Sequence, residues 1–241
     1  MTWISSSADR SSSGRNLTLW RGLLAMLAAY LALTALPIQA RHDPETLRER
    51  LAVRFDQSRI PLLDEWLFMI ASSKGIKEEA RLMRVNDFIN GSLAFEEDIS
   101  VWDQSDYWAT PLEMIGKGRG DCEDFAIIKY ISLRMAGVAS AKLRLVYAKA
   151  RLNGMAGPVW VAHMVLAYYA TPGAEPLVLD NLNGTILPAS RRPDLQPVFS
   201  FNSDGIFVGV SGKGSTKAAA GIGRLSRWEE AWRRILADGY E

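Results

Sequence analysis

The sequence predicts an α+β fold in which helices come first and a buried helix then packs on an antiparallel sheet. Three observations carry this. Apolar residues recur at helical spacing through the first part of the chain, from Leu47 to Ile89. The stretch Glu123 to Gly137 is apolar on nearly every side, which marks a helix inside a core. Short apolar runs separated by Gly, Pro and Asn fill the second half, as strands and turns do. With 241 residues, 48% hydrophobic and 23% charged, the chain is long enough for one substantial domain, or for a domain with a helical extension.

The first 40 residues read as an export segment. A serine-rich leader carries Arg10, Arg15 and Arg21, and Gly22 to Leu36 is almost wholly apolar. Pro37-Ile38-Gln39-Ala40 offers a cleavage site. The apolar run of about 15 residues is shorter than the roughly 20 of a spanning helix. The segment is therefore read as a cleaved signal, with a retained membrane anchor as the alternative. Both place the body outside the cytoplasm, and a single cysteine agrees, because spare thiols are a liability in an oxidising compartment. Beyond residue 40 the chain has 25 basic and 26 acidic residues, which gives no electrostatic case for nucleic acid.

From Asp43-Pro44-Glu45 the pattern is helical, with Leu47, Leu51 and Phe55 at i, i+4 and i+8. Pro61 opens a second apolar segment, Leu62 to Ile70. A third helix is expected from Ile76 to Ile89, with Ala80, Met83 and Phe88 near its inner face and Gly91 as its stop. Phe95 to Met114 is aromatic and acidic and reads as an ordered loop, with a short helix at Leu112 to Ile115. Its aromatics, Trp102, Tyr107 and Trp108, suit either core or the lining of a substrate groove. Gly116, Gly118 and Gly120 punctuate a turn, and Gly137 is placed to stop the central helix. Strands are expected over Leu143 to Lys149, Val159 to Ala170 and Leu177 to Leu182, with turns at Asn153-Gly154 and Pro172-Gly173. Two more strands fall at Phe199 to Phe201 and Gly205 to Val210. Gly209 to Gly223 reads as a loose linker, before a final amphipathic helix, Leu225 to Leu236, with Trp228, Trp232 and Ile235 as its stripe. The chain thus divides into residues 1–40, a main domain over 41–210, and a linker and helix over 211–241.

Chemistry concentrates at Gly118-Arg119-Gly120-Asp121-Cys122-Glu123-Asp124-Phe125. One cysteine cannot form an internal disulfide, so Cys122 is either an inert core thiol or a nucleophile. A buried cysteine is usually a small hydrophobe, but charged neighbours after three spaced glycines are an odd place for packing. A helix N-terminus and a nearby imidazolium both favour the thiolate. His163 would serve as general base and then acid. Asp180 would hold the second ring nitrogen and fix the tautomer. His163 alone reads as a strand histidine and Asp180 alone as the start of a turn; their order, 41 and 17 residues apart, suits one helix and two adjacent strands. A peptidase also needs oxyanion donors, of which the Cys122 backbone N–H is the first.

Asp121, Glu123 and Asp124 place three carboxylates around that sulfur. A like charge about 4 Å away costs on the order of 4 kcal/mol at an effective dielectric near 20 and would quieten the thiol. A bound divalent cation inverts that effect, and an all-oxygen donor set suits calcium. Two readings stand: Asp121 and Glu123 hold a structural Ca²⁺, or they cap the helix and complement its dipole.

These residues carry a resemblance. Asp106-Tyr107-Trp108-Ala109-Thr110-Pro111, Gly120-Asp121-Cys122-Glu123-Asp124, His163 and Val178-Leu179-Asp180-Asn181 resemble the bacterial transglutaminase-like cysteine peptidases, the LapG-like periplasmic proteases. The resemblance spans about residues 60 to 210. It implies a papain/transglutaminase-like core, a catalytic triad of Cys122, His163 and Asp180, and a calcium site at Asp121 and Glu123. It further implies that the substrate is a large surface adhesin, cut near its N-terminus at a di-alanine site so that biofilm cells are released. The implied regulator is an inner-membrane cyclic di-GMP receptor that sequesters the protease. Two other functions fit the same residues: transglutaminase-like acyl transfer to an amine, and a non-catalytic module that holds a peptide on its aromatic loop.

Overall fold

The computed structural model describes residues 43–154, 157–208 and 222–240. Helix α1 (Pro44–Arg54) starts where Asp43 accepts the N–H groups of Glu45 and Thr46, with Pro44 in its first turn. Leu47 and Leu51 are buried. Phe55 lies one residue past the helix and packs against Gly116, where any Cβ would collide with its ring. α2 (Ile60–Ser73) buries Leu63, Trp66, Met69 and Ile70.

α3 (Glu78–Ser92) departs from expectation in its phase. Its buried residues are Leu82, Val85, Asn86 and Ile89, while Met83 is 54% exposed. Gly91 does not stop this helix; it lies inside, and the chain leaves through extended backbone at Leu93. The expected loop that follows contains a strand, β1 (Ala94–Phe95), and a short helix, α4 (Asp98–Trp102). The Asp98 carboxylate accepts the Tyr107 N–H and closes this excursion.

α5 (Pro111–Lys117) begins at a capping box. Thr110 accepts the Glu113 N–H, and Glu113 accepts the Thr110 N–H in return. Gly116 is therefore helical, and the turn falls at Gly118, whose φ of 72° is left-handed. β2 (Arg119–Gly120) runs parallel to β1 and leads into α6 (Cys122–Met135). As its composition predicts, α6 is buried without interruption from Asp124 to Leu133. Gly137, φ 92°, ends it, with the Val138 N–H returning to the Leu133 carbonyl.

The sheet comprises β3 (Leu143–Gly154), β4 (Gly157–Tyr168), β5 (Leu177–Leu179), β6 (Leu187–Pro188), β7 (Leu195–Asn202) and β8 (Gly205–Val208). It is antiparallel, in the order β6-β5-β4-β3-β7-β8. The β3–β4 ladder continues to Gly154 opposite Gly157, so Asn153-Gly154 lies within the ladder and is not the turn. Gly173, φ 82°, does sit in the turn expected of it. Leu143, Leu145, Met164, Leu166 and Phe201 face α6 in one core, and α7 (Ile222–Asp238) adds Trp228, Ala231 and Ile235 to it. The 1–40 leader and the linker over 209–221 lie outside the described residues. Among the described residues no helix is long and apolar enough to cross a membrane.

Candidate active site

Cys122 is the first residue of α6 and stands on the wall of a cavity of about 450 Å³. Asp121, Glu123, Trp108, His163 and Met164 share that wall. The approach of β2 to α6 depends on Gly120, because a Cβ there would overlap the Asp124 side chain. That burial lets Asp124 accept the Ala109 N–H at 2.7 Å, which ties the aromatic segment to the helix. Asp121 occupies the N-cap position, but its side chain makes no capping bond, so for this residue the capping reading is not the one the geometry follows. Its carboxyl turns instead into an acidic cluster.

His163 lies on β4, 3% exposed, with Nε2 2.8 Å from Asp180 Oδ1. That bond occupies Nε2 and leaves Nδ1 as the ring atom able to exchange a proton. Asp180 sits one residue past β5, and every side of its carboxylate is engaged. Oδ1 also accepts the Leu182 N–H at 3.0 Å, and Oδ2 accepts from Arg192 at 2.7 Å. Arg192 is itself gripped by Asp194, and Asn90 on α3 donates to the Asp180 carbonyl at 2.8 Å. Burial would raise the Asp180 pKa, but His163, Arg192 and the Leu182 N–H outweigh it and hold the group at about 2. The pair is thus locked in one geometry.

The thiol is held differently. Cys122 Sγ donates to Glu123 Oε2 at 2.9 Å. Burial pushes its pKa well up, and the Glu123 and Asp121 carboxylates push the same way, while the Met164 backbone N–H pulls it down. Burial and the two carboxylates thus favour the thiol over the nucleophilic thiolate.

The acids responsible form one cluster. Ligand oxygens of Asp98, Asp106 and Glu123 lie within 4.8 Å of one another, as do those of Asp98, Asp121 and Asp124. Asp98 is raised to about 6 by burial and then by the charges of Glu123, Asp106 and Glu97, against the Tyr107 N–H. Asp121 is raised further, by burial and the same neighbourhood of carboxylates. Asp98 Oδ1, Asp121 Oδ1 and Asp124 Oδ2 are buried and have no hydrogen-bond partner among the described residues. Buried carboxylates without donors are costly, and a hard divalent cation is the group that satisfies them. The residues present therefore fit calcium.

The structure brings Cys122, His163, Asp121 and Glu123 to one cavity and puts Asp180 behind His163. Sequence reasoning missed Arg192, Asn90, Asp98 and Asp106. Asp98 and Asp106 were visible as acids in the aromatic segment, but nothing in their spacing points at Cys122.

A model of the family described as bacterial transglutaminase-like cysteine proteinase matches residues 70–193. The calcium-bound structure of Legionella pneumophila LapG is similar at 38% identity and a TM-score of 0.63, covering 80% of this chain and 98% of that one. The EGTA-treated structure of the same protein is similar at 35% identity and a TM-score of 0.64, covering 80% and 97%. A search of curated proteins gave no match.

Proposed function

The chain belongs to the bacterial transglutaminase-like cysteine proteinases, and on that premise we propose that it is a calcium-dependent periplasmic endopeptidase that cuts a large surface adhesin in its N-terminal region. What carries the reading is the Asp180-locked His163 on the same cavity wall as the one cysteine. His163 Nδ1 takes the thiol proton, and the sulfur attacks the scissile carbonyl carbon. The Cys122 backbone N–H, at the start of α6, donates to the oxyanion. Collapse breaks the C–N bond, and His163 returns the proton to the leaving amine. Water, deprotonated by His163, then releases the acid from the thioester and restores the thiol. Asp180 stays ionised throughout and keeps the ring in place.

Asp121 and Glu123 would hold the calcium ion, with Asp98 and Asp106 in the same cluster. Bound there, the ion supplies the positive charge that offsets the carboxylates and lowers the thiol pKa. Glu123 is the decisive residue, because its carboxylate is both a candidate ligand and the group now accepting the thiol hydrogen. Following the family, release of biofilm cells is the outcome, an inner-membrane cyclic di-GMP receptor is the regulator, and residues 1–40 direct export.

The test is intact-mass analysis of the full chain with the N-terminal region of a large adhesin from the same genome, with calcium, with chelator, and as Cys122→Ala. Two fragments summing to the substrate plus water, lost with chelator or in the variant, are expected. A joined product with loss of ammonia would replace hydrolysis by acyl transfer. Intact substrate that co-elutes with the protein would reduce it to a binding module.

A further inference from the structure

β4 has twelve residues, yet β5 pairs only with Leu166, Ala167 and Tyr168 at its end. The direction of its main-chain groups follows from one bond. The Tyr169 N–H donates to the Lys142 carbonyl, at the foot of β3, at 2.8 Å. In an antiparallel ladder the N–H and C=O of one residue point the same way and alternate along the strand. The β3–β4 register is unbroken, so odd-numbered residues of β4 face β3 and even-numbered residues face outward. Leu166 and Tyr168 meet β5 there. Met164 is the next even residue, and it lies on the cavity wall with Cys122.

Ala162 and Trp160 come next, and among the described residues nothing pairs with their outward N–H and C=O groups. Both residues are exposed. Pro158, the following even position, has no N–H and ends the row of donors. Open edges are liabilities that proteins keep short or block with proline. Here a two-residue edge of β4, bounded by proline at one end, is left open beside the nucleophile.

We propose that the substrate binds as an added strand on β4, its main chain pairing with Trp160 and Ala162 so that one of its peptide carbonyls arrives at Cys122. The inference rests on the endopeptidase reading above. Strand addition takes its affinity from main-chain bonds and leaves specificity to alternate side chains. The ligand class is therefore an extended, locally unfolded polypeptide segment and not a folded surface. Leu152, Val161 and Leu182 on the cavity wall give its side chains an apolar border.

The sole cysteine allows a direct test with the calcium-loaded full chain. The probe is acetyl-(Ala)₃-Cys-(Ala)₃-amide activated as its thiopyridyl disulfide. Cys122 thiolate displaces thiopyridone and forms the mixed disulfide, which tethers an extended backbone on both sides of the sulfur. Amide exchange of Trp160, Val161 and Ala162 is then followed by NMR, with a cysteamine adduct as control. Strand addition predicts that Trp160 and Ala162 slow by at least about tenfold, as amides do on hydrogen bonding, and that Val161, already facing β3, is unchanged. N-methylation of the peptide at successive residues should abolish the protection at alternate positions only. Unchanged exchange at Trp160 and Ala162 in the tethered adduct would overturn the inference and leave the peptidase reading intact. A Cys122 that fails to react with the probe would instead bring down the nucleophile, and the inference with it.

Discussion

At the scale of single residues, two sets of carboxylates experience opposite environments a short way apart. Asp180 is held at about 2, below its ordinary 3.8, so it stabilises the fold fully above pH 4 and loses that contribution as pH falls through 2. The shift corresponds to about 2 kcal/mol. Asp180→Asn also removes one of the two carboxylates that hold the buried Arg192, so at pH 7 it should destabilise by at least about 2 kcal/mol. Urea unfolding should show that gap narrowing below pH 3; a gap that ignores pH would mean Asp180 is not the ionised partner. Asp98 and Asp121 run the other way. Their raised values mean the folded state keeps protons that the unfolded chain releases, so chelated protein loses stability as pH rises from about 4 through 6 and beyond. Calcium at about 100 times its Kd adds about 2.7 kcal/mol, or roughly 5–10 °C in Tm for a domain of this size. Thermal melts at pH 8 should show that rise with calcium and lose most of it in Glu123→Gln. A Tm indifferent to calcium would sink the cation site.

At the scale of elements, α6 was legible because a helix apolar on every side has nowhere to go but the interior. The phase of α3 was not. Its apolar residues support two stripes, one through Ala80 and Met83 and one through Leu82, Val85 and Ile89, and contact with the rest of the core chose the second. That choice puts polar Asn86 inside, where it donates to the Gly184 carbonyl at 2.8 Å, and a hydrophobic pattern cannot foresee such a partner. α7 read correctly as an amphipathic helix, yet what its stripe meets lies far away in sequence. The Trp228 ring sits 5.4 Å from Phe201 and 6.0 Å from Tyr130, and Arg234 reaches the Trp108 carbonyl at 2.7 Å beside the cavity. Trp228→Ala should therefore cost about 3–5 kcal/mol by the cavity it leaves, read as a lowered urea midpoint. A loss under about 1 kcal/mol would show that α7 adds little to the core.

At the scale of the molecule, the fold prepares a base in advance and leaves the nucleophile to be released. His163 is locked by Asp180, while Cys122 is bound to Glu123 and its thiol pKa is raised by burial and by the neighbouring acids. Chelated protein should react with iodoacetamide slowly at pH 7.5, and calcium should speed alkylation at least about tenfold, the effect of one unit of thiol pKa. Glu123→Gln should raise the chelated rate toward the loaded one; equal rates in all three would show that the acids do not control the sulfur. The sequence alone determined the α+β order, the buried helix and the Cys122, His163 and Asp180 candidates, because periodicity and residue chemistry are local properties. Only the tertiary structure decided that Arg192 and Asn90 brace Asp180, that Asp98 and Asp106 join the acids at Cys122, and that β4 keeps an open edge beside it. Those depend on which distant segments meet when the core closes, and a pattern of spacings along the chain carries no record of that.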